Sequence, residues 1–394
     1  MSPNKIKVLM VDSWVGEGNE YALYICKELK KAGIDISLIV PEDNKGKMMF
    51  DFPFLPLCPT KAKNISKFKK LLKYYKYLLD IYKLIRKEKY DIVHFQFFRR
   101  RRIESLYFRL LKFLRIKLAY TVHDISPLDE SKLDHLFNLL VYKTADILVV
   151  HSESNKRELA KQIKFIEEKI NVMPHGDFDN YIPDKTLSKS EARNIFGLSE
   201  QQNVILFFGA IKEYKGLDIL SNSIPLASMK INNLALIIAG EAGDADTKEI
   251  VSKCNDILSN LTSKVSIIFH DKFIPVTEVA KYFIASDIVV LPYRRVTHSG
   301  IPHLAYAFGK PIMASNVGDF DEIIEEGKSG FLLNTNTPEH LAEKIIKAFS
   351  DKSKLEAMGD YVRNLYTTKY TWKDSAEALI PAYRKLIDQK RINR

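Results

Sequence analysis

Two lysines in a short, glycine-bounded loop are the first residues of this chain whose types and spacing suit chemistry. In Phe207-Phe208-Gly209-Ala210-Ile211-Lys212-Glu213-Tyr214-Lys215-Gly216-Leu217-Asp218, an apolar run ends at Gly209 and an apolar-periodic segment opens at Gly216. Glycine lets a bulky anion approach the backbone, and lysine supplies a mobile point charge for phosphate. A helix start just beyond adds free N–H groups and the positive end of a dipole. The same residues also fit a plain βα turn with solvated lysines. Further on, Tyr293-Arg294-Arg295-Val296-Thr297-His298 leads from a strand into Ser299-Gly300-Ile301-Pro302. Ser299 and Gly300 would open a helix that Gly309 and Pro311 close, and its first-turn N–H groups suit a diphosphate. With Lys215 on an adjacent loop, a charged clamp results. Ordinary helix caps explain the helix but not the two arginines and the histidine ahead of it.

In the first half, strand 117–122 runs into His123-Asp124. A histidine at a carboxyl strand end can polarise or protonate a substrate group. Equally, the loop can hold it, with Asp124 capping a turn. Gly16 and Gly18 follow the first strand but lack the full G-x-G-x-x-G spacing, which fits turn glycines as well as a phosphate approach. His94, His151 and His175 read as structural, and no metal-ligand spacing is present.

The elements that must position these residues alternate regularly. Strand-like runs at 6–12, 35–40, 91–96, 117–122, 146–150 and 170–173 are separated by helical periodicities, including 19–32, 67–87 and 103–114. The polar stretch 177–189, with Pro183, reads as a linker. A second alternation follows, with strands at 203–208, 234–239, 265–268, 288–291, 311–314 and 330–333, and helical segments to the end. The expected fold is α/β, two Rossmann-like doubly wound domains facing a cleft that holds the ligand. The expected domains are 1–180 and 181–370, with 371–394 a C-terminal helix crossing back to the first domain.

At 394 residues the chain is long enough for about two or three cores. No apolar run approaches the roughly 18 residues of a membrane span, and the start reads directly into a strand rather than as a signal peptide. Cys26, Cys58 and Cys254 are scattered, which fits a reducing cytoplasm better than a disulfide framework. The formal charge of +11 is concentrated: residues 61–120 hold nineteen Lys and Arg against four acids, a balance of +15. An anionic partner is therefore expected.

On these residues the chain resembles the GT-B retaining glycosyltransferases of glycosyltransferase family 4. The resemblance is carried by 209–216, by Ser299-Gly300-Ile301-Pro302 through Ala307-Phe308-Gly309-Lys310-Pro311, and by Ala314-Ser315-Asn316-Val317-Gly318 with Asp321-Glu322. Gly327 through Gly330, Thr121-Val122-His123-Asp124 and Asn171-Val172-Met173-Pro174-His175-Gly176 add to it. It implies transfer of a sugar, with retention, from a UDP- or GDP-linked donor to a glycan or lipid-linked acceptor, in cell-surface polysaccharide or glycolipid synthesis. No cofactor or metal is implied beyond the donor itself. By position, Lys215 would neutralise the diphosphate and Lys212 would assist. Gly16 and Gly209 would pack close to the donor, and the main chain near Ser299, Gly300 and Ile301 would hold phosphate oxygens. His123 would approach the donor sugar, and the base would lie by Phe273. Two departures stand out. Ala210 replaces the family's arginine, and Val296 and Leu304 stand where two glutamates eight residues apart are usual. His298, His303 or Glu322 are the neighbours able to compensate. The alternatives are a nucleotide-sugar epimerase on the same scaffold and a non-catalytic nucleotide-sugar binder.

The basic window interleaves cations with aromatics: Lys73, Tyr74, Tyr75, Lys76 and Tyr77, then Phe97 and Phe98 before Arg99, Arg100, Arg101 and Arg102. That composition suits an anionic membrane surface at the inner face of the cell membrane, near an acceptor site. It also fits a solvated basic surface. Nucleic acid is not expected, because no recognised binding module accompanies the charge.

Overall fold

Alternate residues of one strand feed two different cores, and this division builds each half of the chain. The computed structural model describes residues 5–13, 21–44, 51–60, 66–125, 131–163, 167–182, 187–261 and 264–392. They divide into two units, Met1–Gly176 with Trp372–Arg394, and Asp177–Thr371.

The first unit holds β1 (Lys7–Asp12), β2 (Asp35–Pro41), β3 (Phe54–Cys58), β4 (Ile92–Phe97), β5 (Lys117–Thr121), β6 (Ile147–Val150) and β7 (Ile170–Val172). All pair in parallel, in the order β3-β2-β1-β4-β5-β6-β7. Its helices are α1 (Tyr21–Lys31), α2 (Lys67–Glu88), α3 (Arg101–Phe113), α4 (Lys132–Thr144) and α5 (Glu153–Ile163). On β1, Leu9 and Val11 point into the core shared with α2 to α5, whereas Val8 and Met10 point to the other face. The sequence reading missed β3 because Pro53 and Pro56 argue against a strand. As an edge strand it tolerates a residue that cannot donate to a ladder.

The second unit holds β8 (Asn203–Phe208), β9 (Leu234–Ala239), β10 (Val265–His270), β11 (Ile288–Leu291), β12 (Ile312–Ser315) and β13 (Gly330–Leu333). They form a six-stranded parallel sheet in the order β10-β9-β8-β11-β12-β13. Its helices are α6 (Lys189–Ile195), α7 (Leu217–Ser228), α8 (Ala245–Ser259), α9 (Val276–Ala285), α10 (Ile301–Ala307), α11 (Phe320–Ile323), α12 (Pro338–Phe349) and α13 (Lys352–Lys369). The stretch read as a linker is bound into this unit. The Phe178 N–H donates to the Tyr366 hydroxyl at 2.7 Å, and that hydroxyl donates to Asp179 at 2.8 Å. Ser188 and Glu191 then form a reciprocal capping box that starts α6.

The last helix, α14 (Trp372–Ile392), packs in the first unit beside α1, on the face opposite α2 to α5. Its anchor is polar. Buried His94 on β4 bonds through Nδ1 to the Tyr383 hydroxyl at 2.5 Å and through Nε2 to Thr121 Oγ1 at 2.8 Å. Burial lowers the His94 pKa from its usual 6.5 to about 3, so the ring stays neutral and both nitrogens are used. A depressed imidazole pKa favours folding above pH 6.5, and this contribution is lost as pH falls toward 3. Tyr383→Phe strands a buried ring nitrogen. Denaturant unfolding at pH 7 should show a loss of about 1–3 kcal/mol, with α14 the first element to lose amide protection.

Candidate functional site

In the second unit, β8 and β11 are neighbours whose following helices go to opposite faces: α7 joins one apolar cluster and α10 the other. Open α/β sheets bind ligands outside the carboxyl ends of strands at such a switch point. The phosphate-suited residues flank it. Gly209, immediately after β8, has φ +100°, and a Cβ there would lie 3.1 Å from Lys215 Nζ and 3.6 Å from Ile301 Cδ1. The Lys215 ammonium therefore sits over bare backbone, next to the start of α10.

Lys215 closes a one-turn 3-10 helix, Glu213–Lys215, which ends in Gly216 at φ 68°. A Cβ at Gly216 would stand 2.0 Å from the Pro292 carbonyl oxygen, so this close approach requires glycine. The loops after β8 and β11 are also tied by Arg294. Its guanidinium makes a bidentate pair with Asp218 at 3.0 and 2.6 Å and donates to the Glu213 carbonyl at 2.8 Å. Its main-chain N–H donates to the Tyr214 carbonyl at 2.7 Å. Arg294 thus fixes the loop that carries Lys215, and its charge is already balanced.

Burial, and secondarily the charge of Lys212, lowers the Lys215 pKa from 10.5 to about 8. Its Nζ lies 5.8 Å from the Tyr293 ring. Among the described residues it has no carboxylate partner and no hydrogen-bond acceptor. Lys310 provides the contrast. It too is buried, with a pKa lowered to about 7, but its Nζ donates to the Ile284 and Ser286 carbonyls at 3.2 and 2.8 Å. Lys310 closes a helix end, whereas Lys215 has no such acceptor among the described residues. Lys212 is engaged differently, in an ion pair with Asp244 at 2.9 Å. That pairing, with Thr247, holds the Asp244 carboxyl far below the usual range.

The remaining donor-side candidates lie along the same edge. Ser299 Oγ accepts from the Ile301 N–H at 3.3 Å, and Phe178 covers Gly300. His298 Nδ1 bonds to buried Asp319 at 2.6 Å. Glu322, on α11, is half-buried, and its N–H donates to the Asp319 carbonyl at 3.1 Å. Phe273 is exposed beyond the carboxyl end of β10, where Asp271 accepts the Ala242 N–H at 2.8 Å. Gly16 lies outside the described residues.

The first unit brings together three histidines, where the sequence reading had singled out one. His123, His151 and His175 follow adjacent strands β5, β6 and β7, and all three rings contact Tyr21, with centroids 4.9, 5.5 and 5.3 Å away. His123 stacks on Phe97 at 4.0 Å and bonds to Gln96 Oε1 at 3.1 Å and to His151 Nε2 at 3.3 Å. His151 Nδ1 bonds to the Met173 carbonyl at 3.2 Å. With Gln96 Oε1 as the end acceptor, the chain needs one proton more than two neutral imidazoles carry. With that amide turned over, both rings are neutral. The orientation of the Gln96 amide is thus coupled to the protons that the two rings carry. Strand adjacency was the signal for this cluster, since neighbouring parallel strands deliver their following residues to one edge.

The four arginines 99–102 sit where β4 passes into α3. The Arg100 guanidinium lies 5.0 Å from the Tyr74 ring, and Arg102 pairs with Asp134 at 3.0 Å. Beneath them Glu104 is buried, and desolvation raises its pKa to about 7, although it accepts the Arg100 N–H at 2.6 Å. Among the described residues no group of three or more His, Cys, Asp and Glu side chains is arranged to hold a metal.

Comparison with known families decides what kind of chain carries this edge. The family model described as Glycosyl transferases group 1 matches residues 188–365, and Glycosyltransferase Family 4 matches 18–176. Together the two models span most of the chain, which is a glycosyltransferase. It is 27% identical over 252 residues to a D-inositol 3-phosphate glycosyltransferase of Corynebacterium jeikeium, covering 62% of this chain and 59% of that protein. Its fold is that of sucrose-phosphate synthase from Thermosynechococcus elongatus, with a TM-score of 0.73 at 16% identity, over 98% of this chain and 100% of the other. Anabaena HepE in complex with UDP gives a TM-score of 0.70 at 17% identity, over 96% and 100% of the two chains. These likenesses establish the GT-B architecture.

Within that family the chain's departures have structural consequences. Leu304 lies in the apolar cluster beneath α10, and Val296 packs at its margin. Val296 packs against Gly318, the residue before the Asp319 that pairs with His298. With Arg294 and Lys212 already paired, Lys215 is a buried cation of this edge with no acidic partner among the described residues, and exposed Arg295 lies on the neighbouring loop. The loop geometry makes that testable. Gly216→Ala should displace Lys215 and cost about 2 kcal/mol or more of stability in denaturant unfolding.

Proposed function

We propose that this chain is a retaining, metal-independent hexosyltransferase. It moves a sugar from a UDP- or GDP-linked donor to a glycan or lipid-linked acceptor, in cell-surface polysaccharide or glycolipid synthesis. The observation that carries this reading is the Lys215 ammonium over Gly209, unneutralised by the described residues, at the sheet's switch point. As the bond from the anomeric carbon to phosphate breaks, the diphosphate takes the electron pair, and a desolvated fixed cation stabilises that charge. Ser299, Gly300 and Ile301 line the same group, with Phe273 toward the base. His298, held by Asp319, and Glu322 are the polar side chains available in place of the family glutamates.

The first unit carries the acceptor in this reading, with His123 and its partner His151 as its proton-handling group. The basic run Arg99, Arg100, Arg101 and Arg102 suits an acceptor bearing phosphate, as a lipid-linked sugar does. A relative named as a D-inositol 3-phosphate glycosyltransferase supports the idea of an anionic acceptor.

The test is turnover with UDP- and GDP-sugars, after thermal-shift screening has picked the nucleotide that stabilises the protein. Lys215→Ala should lower release of nucleotide by at least a hundredfold with a melting temperature no lower than that of the wild type. Wild-type turnover should survive chelation, and the product should keep the donor's anomeric configuration by NMR. Undiminished turnover in Lys215→Ala would remove the assigned role. Tight nucleotide binding without transfer across a broad acceptor panel would favour a binding protein instead.

A further inference from the structure

We propose that the layer formed by α2, α3 and α4 docks on an anionic lipid bilayer. These helices pack on one face of the first unit's sheet: their inward residues share a single core, α3 packs on α4, and the Tyr107 hydroxyl of α3 donates to the Leu78 carbonyl of α2 at 2.8 Å. A helix that buries one side against a sheet normally turns a polar side outward. Here the outward side is apolar as well. Of the thirteen large apolar side chains that stand exposed among the described residues, ten lie on these helices or the cap of α3.

Their spacing is regular. On α2, Phe68, Leu72, Tyr75 and Leu79 recur at intervals of four, three and four, which places them in one stripe. The buried residues of α2, Tyr74, Tyr77, Leu78, Ile81 and Ile85, occupy the opposite side. On α3, Leu106, Leu110 and Phe113 repeat the pattern, and Phe113 is 82% exposed. Neither stripe is needed to hold the fold.

Free cations run beside the stripes. Lys69, Lys76 and Lys83 recur every seven residues along α2, and Arg109 lies between the apolar positions of α3. Among the described residues none of these four has a carboxylate partner. The acids of the two helices do not offset them: Glu104 is buried, Asp80 is half-buried, and Glu88 pairs with Lys7 at 3.2 Å. The four arginines 99–102 are not the core of this surface, since they are half-buried or paired at the start of α3.

Rows of lysine beside rows of Leu and Phe match a bilayer whose headgroups are anionic and whose acyl boundary accepts apolar edges. A second copy of the chain fits poorly, because it would set two surfaces of the same sign together. Nucleic acid would use the cations but leave the leucines in water. No helix among the described residues is long and apolar enough to cross a membrane, so the contact proposed is interfacial.

The test is flotation of the full chain with vesicles of phosphatidylcholine containing 30 mol% phosphatidylglycerol, against pure phosphatidylcholine, at low and high salt. We expect binding to the anionic vesicles only, falling by at least tenfold at high salt. Phe68→Ser with Leu72→Ser and Phe113→Ser should each lower binding at least tenfold, as should Lys69→Ser with Lys76→Ser and Arg109→Ser. All variants should keep wild-type melting temperatures. Absence of binding at low salt overturns the proposal, as does equal binding by folded variants. Self-association that the apolar substitutions abolish, or RNA binding tighter than vesicle binding, overturns it in favour of that partner. Because vesicle binding needs no turnover, its failure is distinct from failure of the transferase reading.

Discussion

A desolvated lysine without an anion beside it is an expensive arrangement, and the second unit is built to keep one. The Gly209 backbone leaves room for the Lys215 ammonium, and Gly216 lets the following helix begin against the Pro292 carbonyl. Arg294 holds the intervening turn by spending its own charge on Asp218. Desolvation lowers the Lys215 pKa to about 8, which means the folded protein favours its charged form less than water does. A bound diphosphate would restore the balance. In the proposed reading, the stability that this desolvation costs would reappear as affinity for an anionic ligand.

Much of this was legible in the residues. The alternation of apolar runs and helical periodicities located twelve of the strands, and strand-end placement pointed to Lys215, His123 and Ser299. What could not be read was set by contacts distant in sequence. Lys212 resembles Lys215 locally, yet Asp244, thirty-two residues away, captures it. Strand β3 hides behind its prolines until the sheet order shows it at an edge. His151 and His175 look structural singly, and only the pairing of β5, β6 and β7 gathers them with His123 around Tyr21.

The departures from family pattern are consistent with each other. With Ala210 in place of arginine, and Val296 and Leu304 in place of acids, both a cation and two anions are gone from the expected set. Among the described residues the edge keeps the buried Lys215 ammonium and a His298–Asp319 pair. In the first unit the opposite has happened. Cations accumulate on the outer side of α2 and α3 beyond any need of the fold, while the buried Glu104 and the histidine chain supply titratable groups at the carboxyl edge of the sheet.

The central claim is that Lys215 meets a diphosphate as a cation. Calorimetry of UDP binding at pH 8.5, in buffers of different ionisation enthalpy, measures the protons taken up on binding. With a free pKa of about 8 that the ligand raises, the wild-type protein should take up about half a proton or more per UDP, and Lys215→Met should take up almost none. Binding without proton uptake, or uptake unchanged in Lys215→Met, would contradict the account.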